Sequence, residues 1–173
     1  MRKRDWWWLL GLPIFQTIGT IRHEAGHALM ALALGRDITK FVIFPGLTQE
    51  GQLYFGYMAY SGSSHWLITF GPYLLDALTF LVFFMITMRL PFKRHWLWLN
   101  LVIFGVISPL VNSTYQYLKP LIGMTGDVPF LFDQLPVILV HAYFILTLTI
   151  YAAGLVIVFR RSRYIQSIGA VHD

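Results

Sequence analysis

The sequence predicts a polytopic α-helical membrane protein, with four transmembrane helices and a small interfacial β-hairpin between the first and second. Three observations carry this prediction. Of 173 residues, 57% are hydrophobic and only 12% are charged, where a soluble domain carries about a quarter charged residues. The apolar residues gather into four long runs, and most of the basic residues sit at the ends of those runs. Residues 1–173 therefore read as a single membrane domain with a mean hydropathy of +0.61.

The four runs are about 9–34, 65–88, 96–118 and 135–159. Each covers the ~20 residues that a hydrocarbon core requires. Gly35 is placed to stop the first helix. Leu90-Pro91 ends the second and Lys119-Pro120 the third, because the residue before a proline disfavours the helical region. Asp133 is placed to cap the fourth, with Pro136 in its first turn. Trp6, Trp7, Trp8, Trp66, Trp96 and Trp98 lie near span ends, as an interfacial aromatic belt would. Met1–Trp8 has the basic character of a signal-peptide start. No small-x-small cleavage site follows it, so the segment is expected to stay attached to the first helix.

Between the first two spans the texture changes. Ile38–Phe44 and Gln52–Tyr60 are rich in β-branched and aromatic residues, and Pro45–Gly51 reads as a turn. This is the predicted hairpin, about 38–60. Lipid does not tolerate an open sheet edge, so the hairpin belongs at the interface or under protein cover.

Arg2, Lys3, Arg4, Arg89, Lys93, Arg94, Arg160, Arg161 and Arg163 fall on one side of this topology. Arg36, Lys40 and Lys119 fall on the other. The positive-inside rule then places both termini in the cytoplasm. The net charge of +5 is explained by orientation, and no nucleic-acid partner is expected. There is no cysteine, which excludes disulfides and thiolate metal sites.

The first span contains His23-Glu24-Ala25-Gly26-His27. Residues four apart share a helix face, so His23 and His27 can present imidazoles to one zinc ion. Glu24 is placed to take a proton from zinc-activated water rather than to bind the metal. Zinc lowers the pKa of bound water to about 7, which makes a nucleophile at neutral pH. Ionisable residues cost about 2.5–3.5 kcal/mol at a membrane-helix centre and mark function by default. The bland reading is a helix whose polar groups bond one another across a bundle. The motif centre lies about 14 Å from the end of its helix at 1.5 Å per residue, so hydrolysis there needs a water-filled cavity.

These residues resemble the site-2 protease family of intramembrane zinc metalloproteases. The matching features are the His23–His27 motif, the hairpin after it, and Gly71-Pro72 in the second span, similar to a glycine–proline element of that family. The resemblance implies a third zinc ligand from a Leu-Asp-Gly element, which this sequence lacks. Gly126-Asp127-Val128 is nearest, in a Gly/Pro-rich stretch able to re-enter. Asp127 is thus the preferred third ligand and Asp76 the alternative. Asp76 could equally pair with Arg22, and Asp127 could be a solvated turn residue. The resemblance also implies an Asn that helps hold substrate. Asn112 is the candidate, against an interhelical hydrogen bond. Arg22 is a weaker candidate for stabilising developing negative charge. His141 reads as a packing residue, and His65 and His95 as interfacial.

The function these readings imply is hydrolysis of membrane-embedded or membrane-proximal protein substrates by zinc-activated water, with Glu24 as the base. The partners implied are a membrane protein or peptide substrate, the lipid bilayer, and an unidentified regulatory membrane protein. Two other classes fit the same residues. One is a membrane zinc hydrolase of lipids or small amides and esters, which a pocket shaped for acyl chains would mark. The other is an inactive relative that binds membrane segments, but a pure binder has no use for Glu24.

Overall fold

The computed structural model describes residues 6–47, 51, 53–89 and 95–169. The basic cluster 2–4, the Leu90-Pro91 stop, Lys93 and Arg94 lie outside the described residues. In chain order the elements are α1 (Trp6–Ala33), β1 (Ile38–Val42), β2 (Gly46–Leu47), β3 (Leu53–Tyr54), β4 (Tyr57–Tyr60) and α2 (Trp66–Arg89). There follow α3 (His95–Val102), a π-helical turn (Ile103–Ile107), α4 (Ser108–Leu118), a 3-10 turn (Lys119–Ile122), α5 (Asp127–Gln134) and α6 (Val137–Gly169). The chain forms two compact units, Met1–Asp76 and Ala77–Asp173.

Three helical runs among the described residues are long and apolar enough to cross a membrane: Trp66–Arg89, Leu97–Ile122 and Val137–Arg161. The first predicted span forms as a helix of 28 residues. It does not join the other three on composition, because Gln16, Thr17, Thr20, Arg22, His23, Glu24 and His27 dilute its apolar character.

In the first unit, α1 ends where Gly35 takes a left-handed φ of 70°. The Gly35 N–H donates to Leu32 O at 2.9 Å and the Arg36 N–H to Ala31 O at 2.9 Å. This paired closure uses the orphan carbonyls of the last turn. The predicted hairpin forms as two short ladders rather than two continuous strands. β1 pairs antiparallel with β4, from Ile38 opposite Tyr60 to Val42 opposite Tyr57, with an irregularity between Ile38 and Lys40. β2 pairs with β3, Gly46 opposite Tyr54 and Leu47 opposite Leu53. The ladder base is closed by Ser61 N–H to Asp37 O at 2.9 Å and Asp37 N–H to Ser61 Oγ at 3.1 Å. The Leu67 N–H donates to His65 Nδ1 at 3.2 Å at the start of α2.

α1 and the start of α2 approach to backbone contact. A Cβ on Gly26 would lie 2.5 Å from Pro72 N and 2.8 Å from Gly71 C, and one on Gly71 would lie 2.8 Å from Gly26 C. Only small residues permit such a crossing. One turn before Gly26, Arg22 Nε donates to Asp76 Oδ1 at 2.6 Å, with side chains 11% and 0% exposed.

In the second unit, the core is Phe80, Trp98, Val102, Val106, Tyr151 and Val158. Phe80 stacks obliquely on Tyr151 at 4.6 Å. Gly105 and Gly154 make room for Phe83 and Phe80, whose rings occupy the space a Cβ would need. The third span passes through the π turn just before Ser108-Pro109. Proline lacks an N–H and clashes with the carbonyl four residues earlier, and a wider turn relieves both.

The α-helix of the third run ends at Leu118, as Lys119-Pro120 predicts, and a 3-10 turn with Pro120 in its first positions carries the chain on to Gly123, φ 71°. Two boundary expectations are corrected. Asp133 caps nothing. It is exposed near the end of α5, a short helix that the local sequence pattern does not announce. The last long helix begins at Val137 and takes its first main-chain bond, Leu139 N–H to Pro136 O, at 2.9 Å.

Two substitutions test the α1–α2 crossing. Gly26→Ala forces the helices apart and should cost about 1–3 kcal/mol, the range for overpacking a tight site, read as a lower Tm in detergent. Asp76→Ala strands a nearly buried guanidinium and should cost about 3–5 kcal/mol, whereas the apolar double variant Arg22→Met/Asp76→Leu should recover most of it.

Candidate metal centre

Helix α1 sets His23 and His27 one turn apart, as their spacing requires. Their rings lie 5.0 Å apart, centre to centre, at an interplanar angle of 86°. His23 is 9% exposed and Glu24 6%, while His27 is half-buried. Tyr73 of α2, fully buried, meets His23 edge-on at 6.2 Å. The turn between β3 and β4 closes over the same stretch of α1. A Cβ on Gly56 would lie 2.5 Å from Thr20 Cγ2 and 2.7 Å from Val42 O, so only glycine lets the turn backbone lie this close to Thr20, next to Glu24.

His27 Nδ1 is 2.9 Å from the main-chain carbonyl oxygen of Ile68. A carbonyl can only accept, so Nδ1 carries the proton and donates it. In the neutral ring the lone pair is then on Nε2. Metal-ligating histidines characteristically donate their other ring N–H to a carbonyl or carboxylate, which fixes ring orientation and tautomer. Two imidazoles on one helix face, one of them already oriented in this way, are donors of the kind that zinc takes.

The remaining candidates fall in several places. Asp76 is fully buried and engaged by Arg22, the ion-pair alternative to ligation. That contact also turns the Arg22 Nε–H toward a carboxylate. Asp127, in the second unit, is half-buried and opens α5 after Gly126, whose φ of 153° is a glycine conformation. Asn112 is half-buried in α4. His141 behaves as a packing residue with a polar partner, its Nδ1 2.7 Å from Tyr117 Oη and its ring 5.0 Å from Phe132. His65 stacks on Trp66 at 6.0 Å.

Sequence reasoning does not reveal Ile68, Tyr73 or Gly56. Ile68 acts through its main chain, so its side-chain identity carries no signal. Tyr73 follows Gly71-Pro72, the one pointer to that segment.

A family model described as peptidase M50B-like matches residues 6–167. No curated protein and no solved structure matches the chain significantly. The match covers nearly all of the chain, His23–His27 included, and the chain belongs to the peptidase M50B-like family, a site-2 protease-like family of membrane metallopeptidases.

Proposed function

We propose that the protein is an intramembrane zinc metalloprotease that cuts membrane-embedded or membrane-proximal protein substrates. The observation that carries this reading is the pre-oriented His27, its Nδ1 committed to Ile68 O, beside His23 and a buried Glu24.

His23 and His27 would hold the zinc, and Asp127 would complete the set. Asp127 is favoured because Asp76 already serves Arg22. Two histidines and one carboxylate form a familiar catalytic zinc set that leaves a fourth position open. When bound, zinc would act as a Lewis acid toward the scissile carbonyl and make water a stronger acid. Glu24 would accept the proton of the attacking water and pass it to the leaving amine. Its low exposure suits the task, since bulk water is kept from competing for the proton it carries. Asn112 would hold the substrate main chain. A helical substrate hides its peptide bonds, so it must be unwound locally. The hairpin, lying on α1 beside Glu24, offers strand edges on which an extended segment could pair. The α1 helix would be a fourth span, with both termini cytoplasmic.

Metal content tests the site. Purified wild-type protein should carry about one zinc per chain, as a four-coordinate catalytic site predicts. His23→Ala and Asp127→Ala should lose it, and Asp76→Asn should keep it. Zinc-free wild-type protein after reconstitution would end the proposal. Glu24→Gln should keep its zinc and lose cleavage of a membrane peptide by about 10²–10⁴-fold, the usual worth of a general base. Full biological activity in that variant would instead mark a binding protein. Deleting 38–60 should abolish cleavage of helical substrates, and unchanged cleavage would remove strand pairing from the scheme.

A further inference from the structure

Pro72 lies inside α2. In a regular helix the N–H of residue 72 would bond to the carbonyl of residue 68. Proline has no N–H, so the Ile68 carbonyl has no donor at that position. The same carbonyl oxygen lies 2.9 Å from His27 Nδ1. The same proline meets Gly26, the residue before His27, at backbone contact.

We propose that Pro72 is a positioning residue for the metal centre: by withholding a helical donor it frees the Ile68 carbonyl, which then fixes His27 in the tautomer that leaves Nε2 for zinc. An orphaned main-chain carbonyl in an apolar helix needs another donor, and His27 Nδ1–H supplies it. Both needs are met by one hydrogen bond. With an ordinary residue at 72, the amide would compete for Ile68 O, and His27 would be free to protonate at Nε2, the nitrogen the metal needs. The contact with Gly26 adds register. Pro72 and Gly26 touch only at one sliding position of the two helices, and that position also brings residue 68 level with residue 27.

The inference rests on the proposed role of His27 as a ligand, and two separate readouts keep the ideas apart. The first is the ¹⁵N spectrum of His27 in metal-free protein, assigned against His27→Gln. Wild type should show the proton on Nδ1. Pro72→Ala should show a mixture or the Nε2–H form, with a Tm unchanged or raised because the helix regains a main-chain bond. The second is zinc affinity by chelator competition, where Pro72→Ala should bind about 10–100-fold more weakly, the usual loss when a ligand's outer partner is removed. Pro13→Ala, which removes the proline inside α1, should change neither.

An Nε2–H tautomer in wild type would overturn the proposal, and that reading needs no variant to fold. So would a folded Pro72→Ala with unchanged His27 signals and unchanged zinc affinity. Wild-type protein that binds no zinc but shows the predicted tautomer and its loss in Pro72→Ala would sink the metalloprotease reading alone. The carbonyl-release device would stand.

Discussion

An ionisable side chain buried in an apolar helical protein must find its partner within the protein, because no solvent is at hand to satisfy it. The first unit is organised around that constraint. α1 carries Arg22, His23, Glu24 and His27 within two turns. Arg22 is answered by Asp76 and His27 by the Ile68 carbonyl, both supplied by the start of α2. Hydroxyls elsewhere solve the same problem locally. Thr17, Thr87, Thr147 and Thr149 donate to carbonyls three or four residues back in their own helices. Arg22 and His27 reach the neighbouring helix instead.

That fixation works because the helices come very close. Gly26 against Gly71 and Pro72 brings main chain onto main chain at the crossing. Without a strong hydrophobic drive between lipid-immersed helices, close backbone packing and interhelical hydrogen bonds supply much of the association. Here the two are adjacent. The glycine contact is flanked by Arg22–Asp76 on one side and His27–Ile68 on the other. A shift that broke one would break the other two. Gly56 plays the same part for the hairpin, holding its main chain against Thr20 and Glu24. The motif helix is thus met on two sides by main chain, at Gly71-Pro72 and at Gly56, which leaves little freedom around His23, Glu24 and His27.

The second unit follows a different logic. Its core is aromatic and β-branched, with Phe80 seated at Gly154 and Phe83 at Gly105. Among its described residues the irregularities fall at prolines and glycines: a π turn ahead of Pro109, a 3-10 turn begun by Pro120 and stopped by Gly123, and α5 launched by Gly126. These residues are visible in the sequence as punctuation, but their local identity does not say which way they act. A proline breaks a helix only where its geometry is refused, and Pro120 is accepted in the first positions of a tighter turn. Asp133 looks like a cap for the helix after it, yet it belongs to the helix before. The eight residues from Asp127 gain that helix from burying Val128 and Leu131, which local propensity does not announce.

The sequence by itself determined that the chain is helical and membrane-bound, that a hairpin comes after the first helix, and that His23, Glu24 and His27 share one helix. Those properties depend on composition and periodicity, which are local. It left the partner of Asp76 open, and it gave no sign of Ile68. The tertiary structure sets Arg22 on Asp76 and His27 on the Ile68 carbonyl, since both contacts depend on which turn of α2 lies against which turn of α1. A crossing point is set by where two backbones can touch, and here the glycines and one proline choose it. A main-chain carbonyl has the same chemistry in every residue. Its availability is decided by the residue four positions later and by the side chain that the fold brings within about 3 Å, and neither is written at the residue itself.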